Sequence, residues 1–447
     1  MRRLATTALV ALIGTSAFGQ DLQQTDNTYF KAAEAAIQAR EATQFNTNRA
    51  KNVILIVGDG HGVATNYATR LWMGQQAGGF GDDFVMHHET FPNLALLKTY
   101  QTNAQTADSV VASAMVTGVK GKFGVIGLDD NGNRGDCASV EGNAPTKLSQ
   151  IAKSMGKSVG VVTTTRLTHA TPAAMYATSA ERNWENDAQL PADCTTQKDI
   201  AAQLLDAMGA NLIDIAMGGG RYSFLPEGVM GDEGDAGRRK DGRNLIEEAK
   251  ALGAQYAWNQ ETFNALALDG TPVLGVFEAS HMQYEHDRSD EPSIADMALA
   301  AIKALGTNEN GFFLMIEGGR VDHANHATNL HRTLTDAAAM VAAIEAIDDA
   351  TDDADTLIMI AADHAHVLAF NGYCGRGSAI TGLCMGVTNE GIEAGASDEP
   401  NVAMDGKPYT VAGYLNGVGS VLIEQRGGEF FGTRARLDQE VATDPDY

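Results

Sequence analysis

Short apolar runs alternate along the chain with longer stretches whose apolar residues recur at helical spacing. Residues 52–57 (NVILIV), 157–166 (KSVGVVTTTR), 212–221 (LIDIAMGGGR), 311–316 (GFFLMI) and 355–366 (DTLIMIAADHAH) contain the short runs. Each run is too short for a globular helix and breaks off at glycines, acids or threonines, the pattern of strands buried on both faces. Between them, 145–156 (PTKLSQIAKSMG) and 330–348 (LHRTLTDAAAMVAAIEAID) read as helices, and 28–44 predicts another near the N-terminus. Repeated strand–helix alternation predicts an α/β fold: a three-layer α/β/α sandwich on a large, mainly parallel sheet. Residues 227–243 (EGVMGDEGDAGRRKDGR), rich in glycine and charge, read as a surface loop.

The strand ends carry the chemistry. After the run at 311–316 come Glu317, Asp322, His323 and His326 within ten residues. Asp322 and His326 are four apart, so on a helical turn they point the same way. A carboxylate beside an imidazole suits zinc, and Glu317 offers hard oxygen to magnesium. Taken alone, the stretch is equally a polar loop with solvated side chains. Asp59 ends the first run, Asp363 and His364 end the last, and Thr171 lies just past 157–166. One acid at a strand end is ordinarily a helix cap. Compatible ligands at several strand ends exceed that account, because functional groups of open α/β sheets gather at the carboxyl edge.

Asp108 and Ser109 precede a small-residue helix within 102–120. Either can cap it; alternatively, Ser109 stands where a helix N-terminus favours an anion. A serine needs activation to attack. No Gly-x-Ser-x-Gly elbow surrounds Ser109, so a metal that lowers its pKa fits better than a histidine base. Arg182 is either a surface arginine or a bidentate clamp for phosphate oxygens.

Composition adds an address. Met1-Arg2-Arg3, an apolar run and Ala17-Phe18-Gly19 read as a signal peptide over 1–19, so the expectation is export to the periplasm or beyond. No apolar run is long enough to span a membrane. Residues 20–447 suffice for one large α/β domain or two ordinary ones. A formal charge of −25 argues against nucleic acid as a partner. It also opposes anionic substrates unless bound cations invert the local field. Four cysteines allow three pairings. Cys374 with Cys384 is the local choice, leaving Cys137 and Cys194 to close a long loop, and no C-x-x-C supports thiolate zinc binding instead.

From about residue 45 onward the chain resembles the alkaline phosphatases. The resemblance rests on IVGDG (56–60), TADSVVASAMVTGVK (106–120), TTTRLTHATPAAMYA (163–177), RNW (182–184), EGGRVDHANH (317–326) and AADHAH with NGYCGRGS (361–378). It implies a phosphate-monoester hydrolase of broad range with a two-zinc, one-magnesium site. Ser109 resembles the nucleophile that becomes phosphoserine. Asp59, Asp363 and His364 resemble ligands of the zinc that activates it, with Asp59 bridging to magnesium, whose other ligands resemble Glu317 and Thr171. Asp322 and His326 resemble ligands of the second zinc. Arg182 resembles the phosphate clamp and Asp108 the carboxylate that orients it. His169 and His323 resemble neighbouring positions that carry histidine in the animal-type branch, and a Cys137–Cys194 disulfide also resembles that branch. Phe277 and Glu278 with Glu291 resemble part of its calcium site, and the family implies a homodimer.

One departure matters. The family supplies a last histidine to the second zinc from a downstream Thr-His-x-Gly-Glu-Asp segment, and no histidine follows His366 here. The expectation is a C-terminally incomplete chain, or a site completed by water, another acid or a second subunit. The competing expectation is a catalytically impaired protein that binds metal and phosphate. A sulfatase or diesterase of the same superfamily is a weaker alternative: the Cys/Ser-x-Pro-x-Arg context of sulfatases is absent around Ser109, and a diesterase should lack the clamp assigned to Arg182.

Overall fold

The computed structural model describes residues 23–44, 46–105, 110–388, 395–403, 406–414, 422–426 and 429–434. Residues 1–19, read from the sequence as a signal peptide, and Asp108 and Ser109 lie outside them. The chain divides into two units, residues 1–47 with 92–94 and all the rest. In the first, α1 (Thr28–Ala42) forms where the sequence predicts a helix, and its N-cap Asn27 accepts from the Tyr29 and Phe30 N–H groups. None of its residues is buried.

The second unit is built on seven strands: β1 (Asn52–Gly58), β2 (Ser158–Arg166), β3 (Ile215–Gly219), β4 (Gln255–Ala257), β5 (Val273–Val276), β6 (Phe312–Gly318) and β7 (Thr356–Ala362). They form one sheet in the order β4-β5-β3-β2-β6-β1-β7, with every pairing parallel. The five apolar runs of the sequence are five of these strands. The other two, β4 and β5, are three and four residues long, too short to display a period.

Helices connect the strands: α2 (Val63–Gln76), α3 (Val110–Thr117), α4 (Leu148–Ser154), α5 (Ala170–Ala173), α6 (Ile200–Gly209), α7 (Leu245–Ala251), α8 (Gln260–Asn264), α9 (Ile294–Leu305), α10 (Arg320–His326) and α11 (Leu330–Asp349). Two cores show that both sheet faces are covered. Leu55, Val57, Val159, Val161, Phe313 and Met315 share one core with α6 and α7. Ile54, Ile56, Val162, Leu314 and Ile316 share the other with α9 and α11. Successive strand residues face opposite ways, so a continuous apolar run is what a strand between two helical layers requires.

The sheet register sets up the site. Val57 of β1 pairs with Glu317 of β6 and with Ala361 of β7, and Glu317 also pairs with Thr163 of β2. Asp59, Glu317, Thr163 and Asp363 therefore emerge side by side at the carboxyl edge. Among the described residues β7 pairs only with β1 and is an edge strand, with Leu357 and Met359 exposed.

Both expected disulfides, Cys137–Cys194 and Cys374–Cys384, are formed. The loop at 227–243 is only partly a surface feature. Its Arg239 is wholly buried, donating to both Asp199 oxygens at 2.9 and 3.0 Å. A charge-rich composition hid this anchor.

Candidate metal centre

β1 ends in a tight turn, Gly58-Asp59-Gly60, that turns Asp59 inward. Gly60 has φ +67°, and a Cβ there would lie 3.0 Å from the Asp322 Cα and 2.7 Å from His366. Only glycine tolerates both the conformation and the approach. Asp322 and His326 sit on α10 four residues apart, with Nε2 and Oδ2 3.5 Å from one another. Past β7, the His364 Nε2 stands 3.2 Å from Asp59, 3.4 Å from Asp363 and 3.6 Å from Asp322. One imidazole thus meets three carboxylates from three elements. The Asp363 carboxylate is fixed by the Gly60 and His364 N–H groups at 3.0 and 2.8 Å.

Glu317 is completely buried, and its Oε2 accepts from the hydroxyls of Thr163 and Thr165. Its other oxygen, Oε1, is buried with no partner. The ring of His169, at the N-terminus of α5, brings a nitrogen within 4.8 Å of oxygens of Asp59 and Glu317. Its Nε2 is also 2.9 Å from the Arg182 guanidinium. Three overlapping donor sets result: Asp59–Asp363–His364, Asp59–His169–Glu317 and Asp322–His364–His366.

The electrostatics ask for cations. Burial, then the neighbouring Asp363 and Asp322 carboxylates, holds the Asp59 carboxyl well above its usual range. Burial likewise raises Asp363 and pushes Glu317 up to about 7 against the pull of Thr163, Thr171 and Thr165. Burial opposes the charge on His364, but the Asp59, Asp363 and Asp322 carboxylates overcome it and raise it to about 10. Among the described residues the ion-pair partners of Asp59, Asp322 and Asp363 are histidines alone. Packed carboxylates without a lysine or arginine, beside an orphaned glutamate oxygen, fit divalent cations.

Next to the acids lies a wall of three imidazoles and the Arg320 guanidinium. The His281 ring meets those of His323 and His169 at 4.2 and 5.4 Å, and Arg320 contacts His323 at 2.9 Å. Burial and then the adjacent charged or ring groups depress His169, His281 and His323, the last to about 3. Each of the three rings therefore favours its neutral form.

Of the residues singled out in sequence, Asp59, Thr171, Glu317, Asp322, His326, Asp363, His364, His169, His323 and Arg182 come together at this edge; Ser109 and Asp108 fall outside the described residues. Sequence reasoning missed His366, 2.6 Å from the Asp322 Oδ1. It also missed the Thr163 and Thr165 donors to Glu317, and His281. The signal for His366 was present: it lies two residues beyond His364 in the same stretch, Ala362-Asp363-His364-Ala365-His366. Farther off, Glu291 keeps one oxygen buried without a partner and is pushed up to about 8 by burial. Glu278 accepts from Gln283 at 2.8 Å, while the Phe277 carbonyl accepts from Arg221 at 2.7 Å.

Fold and site define an α/β protein with a candidate metal centre at the carboxyl edge of a parallel sheet. The family model "Alkaline phosphatase" matches residues 50–426. The tissue-nonspecific alkaline phosphatase of Homo sapiens is 39% identical over 91% of this chain and 78% of its own. A membrane-bound alkaline phosphatase of Bombyx mori is 38% identical over 89% and 73%. The crystal structure of the Thermus thermophilus alkaline phosphatase superposes with a TM-score of 0.61 at 28% identity, over 76% of this chain and 64% of that one. The chain belongs to the alkaline phosphatase family, and with it to the phosphomonoesterases.

Proposed function

We propose that the chain hydrolyses a broad range of phosphate monoesters through a phosphoserine intermediate on Ser109, at a centre of two zinc ions and one magnesium. The observation that carries this is the convergence of Asp59, Asp363 and His364 on one point, with Glu317 and Asp322 alongside. Asp59, Asp363 and His364 would hold the zinc that activates Ser109. Glu317, Thr171 and Asp59 would hold magnesium. Asp322 and His326 would hold the second zinc. When bound, such ions lower the pKa of a hydroxyl or water and neutralise charge on phosphoryl oxygens.

The protein's own groups do the rest. Arg182 grips the non-reacting phosphate oxygens, Asp108 orients it, and the neutral His169 keeps its nitrogen on the guanidinium. Ser109 Oγ gives up its proton to solvent and attacks phosphorus; the bond to the ester oxygen breaks in line, and the alcohol leaves after taking a proton from solvent. Water then attacks the phosphoserine, phosphate leaves and Ser109 recovers its proton. His366, bonded to Asp322, orients that carboxylate.

The competing reading, a protein that binds metal and phosphate without turnover, draws on the thin donor set around Asp322. A calcium ion at Glu278 and Glu291 is a second proposal, favoured by the orphaned Glu291 oxygen. Residues 1–19 as a signal peptide, export, and a homodimer complete the reading. Two disulfides fit an exported chain, and no described helix is long and apolar enough to cross a membrane.

The test is steady-state phosphate release from an aryl phosphate with zinc and magnesium supplied. Sustained turnover, falling by roughly three or more orders of magnitude in Ser109→Ala, is expected. Retained phosphate with no multiple turnover would favour the competing reading.

A further inference from the structure

We propose that Glu185 is a positioning residue for the phosphate clamp, its carboxylate locking the loop that carries Arg182 onto the strand end that carries His169. The inference rests on the phosphatase reading above and deepens it. Glu185 lies three residues beyond Arg182 and is 5% exposed. Its Oε1 accepts from the Arg166 Nη2 at 2.6 Å and its Oε2 from the Arg166 Nε at 2.7 Å. Oε2 also accepts from the Thr168 hydroxyl at 2.5 Å. Arg166 is the last residue of β2, and its carbonyl accepts from the His169 N–H at 2.9 Å. Thr168 immediately precedes His169. One carboxylate therefore ties both segments whose side chains meet at the 2.9 Å contact between Arg182 and His169.

The loop has backbone anchors on either side of this lock. The Arg182 N–H donates to the Gly124 carbonyl at 2.8 Å, and the Glu185 carbonyl accepts from Ala201 at 3.0 Å. Neither fixes the direction of the loop relative to β2. The bidentate fork does, because a planar guanidinium admits a carboxylate in one plane only. Charge gives a second reason. Arg166 lies close to His281, and Glu185 neutralises it.

A buried ion pair with a purely structural role is the alternative, since such pairs are common and their net worth small. A double-mutant cycle separates the two. The variants are Glu185→Gln, alone and with Arg182→Ala, measured for aryl phosphate kinetics and inhibition by inorganic phosphate, with zinc and magnesium content checked. A misplaced clamp raises KM and the phosphate inhibition constant together by about 10–100-fold, with a smaller change in kcat. In the Arg182→Ala background the same change costs less than about twofold, because no clamp is left to misplace. Thr168→Val removes one hydrogen bond without stranding a charge, and raises both constants about three- to tenfold. It carries the test if Glu185→Gln fails to fold.

Equal effects in both backgrounds, or a lowered melting temperature with KM unchanged, would overturn the inference while leaving the phosphatase reading intact. Wild-type protein that neither binds phosphate nor turns over would bring down both.

Discussion

The two halves of the donor cluster are built by different means. Asp59, Glu317 and Asp363 belong to the sheet: each follows or ends a strand, and parallel register aligns them before any side chain is chosen. All are nearly or fully buried, and hydroxyl or backbone donors fix Glu317 and Asp363. Asp322 and His326 belong to one turn of α10. The His326 side chain is 70% exposed against 9% for Asp322. The sheet half is pre-organised and carries excess negative charge; the helix half is open to solvent at His326, with the half-buried His366 bonded to Asp322. Register makes a rigid site, whereas a short helix makes one that remains open to an incoming donor.

The largest test of this contrast compares Asp59→Ala with His326→Ala. Asp59 is shared between two donor sets, so its loss should remove more than one equivalent of metal and at least about 1,000-fold in kcat/KM. His326→Ala should cost one equivalent and about 10–100-fold. Metal analysis after gel filtration, with the kinetics, reads both. The metal-free proteins should move differently, because deleting Asp59 relieves repulsion among buried carboxylates and raises the melting temperature, while deleting His326 does not. Equal metal loss in the two variants would erase the distinction between the halves. A smaller effect is expected from His366→Ala. Freed from its 2.6 Å partner, Asp322 should hold its ion about 10–100-fold more weakly, as removal of an outer-shell partner usually does. Titration with zinc would show one weakened class of site, and weakening of every class would place His366 in the sheet half instead.

The contrast also explains what the sequence could reveal. Runs such as NVILIV and GFFLMI announced buried strands, and the acids at their ends announced the edge where ligands gather. The i, i+4 spacing of Asp322 and His326 was legible because α10 is a local structure. Contacts between segments distant in the chain were not. The Thr163 hydroxyl on Glu317, 154 residues away, is created by pairing β2 with β6 and leaves no local pattern. The Glu185 lock on Arg166 and the burial of Arg239 are hidden for the same reason. The short strands β4 and β5 draw their stability from neighbours rather than from periodicity.

The smallest effect provides a control for the electrostatic argument. Asp336 on α11 is a buried acid outside the donor cluster, pushed up to about 8 chiefly by burial, with the Glu285 and Asp287 carboxylates adding to it. Its oxygen accepts from the Glu285 N–H at 3.2 Å, and Arg320 pulls the other way without prevailing. The native protein therefore keeps a proton that the unfolded chain has released at about pH 4. Between roughly pH 4 and 8 the folded state binds more protons, so this contribution is complete at acid pH and is lost as pH rises through about 8. Asp336→Asn should flatten the fall of melting temperature over that window, gaining a few °C above pH 8 and about nothing at pH 5. Adding zinc and magnesium should leave this difference in place, because Asp336 belongs to none of the three donor sets, while suppressing the pH dependence due to Asp59, Glu317 and Asp363. If metal alone abolishes the whole slope and Asp336→Asn changes nothing, the titrating acids all belong to the sheet half of the cluster.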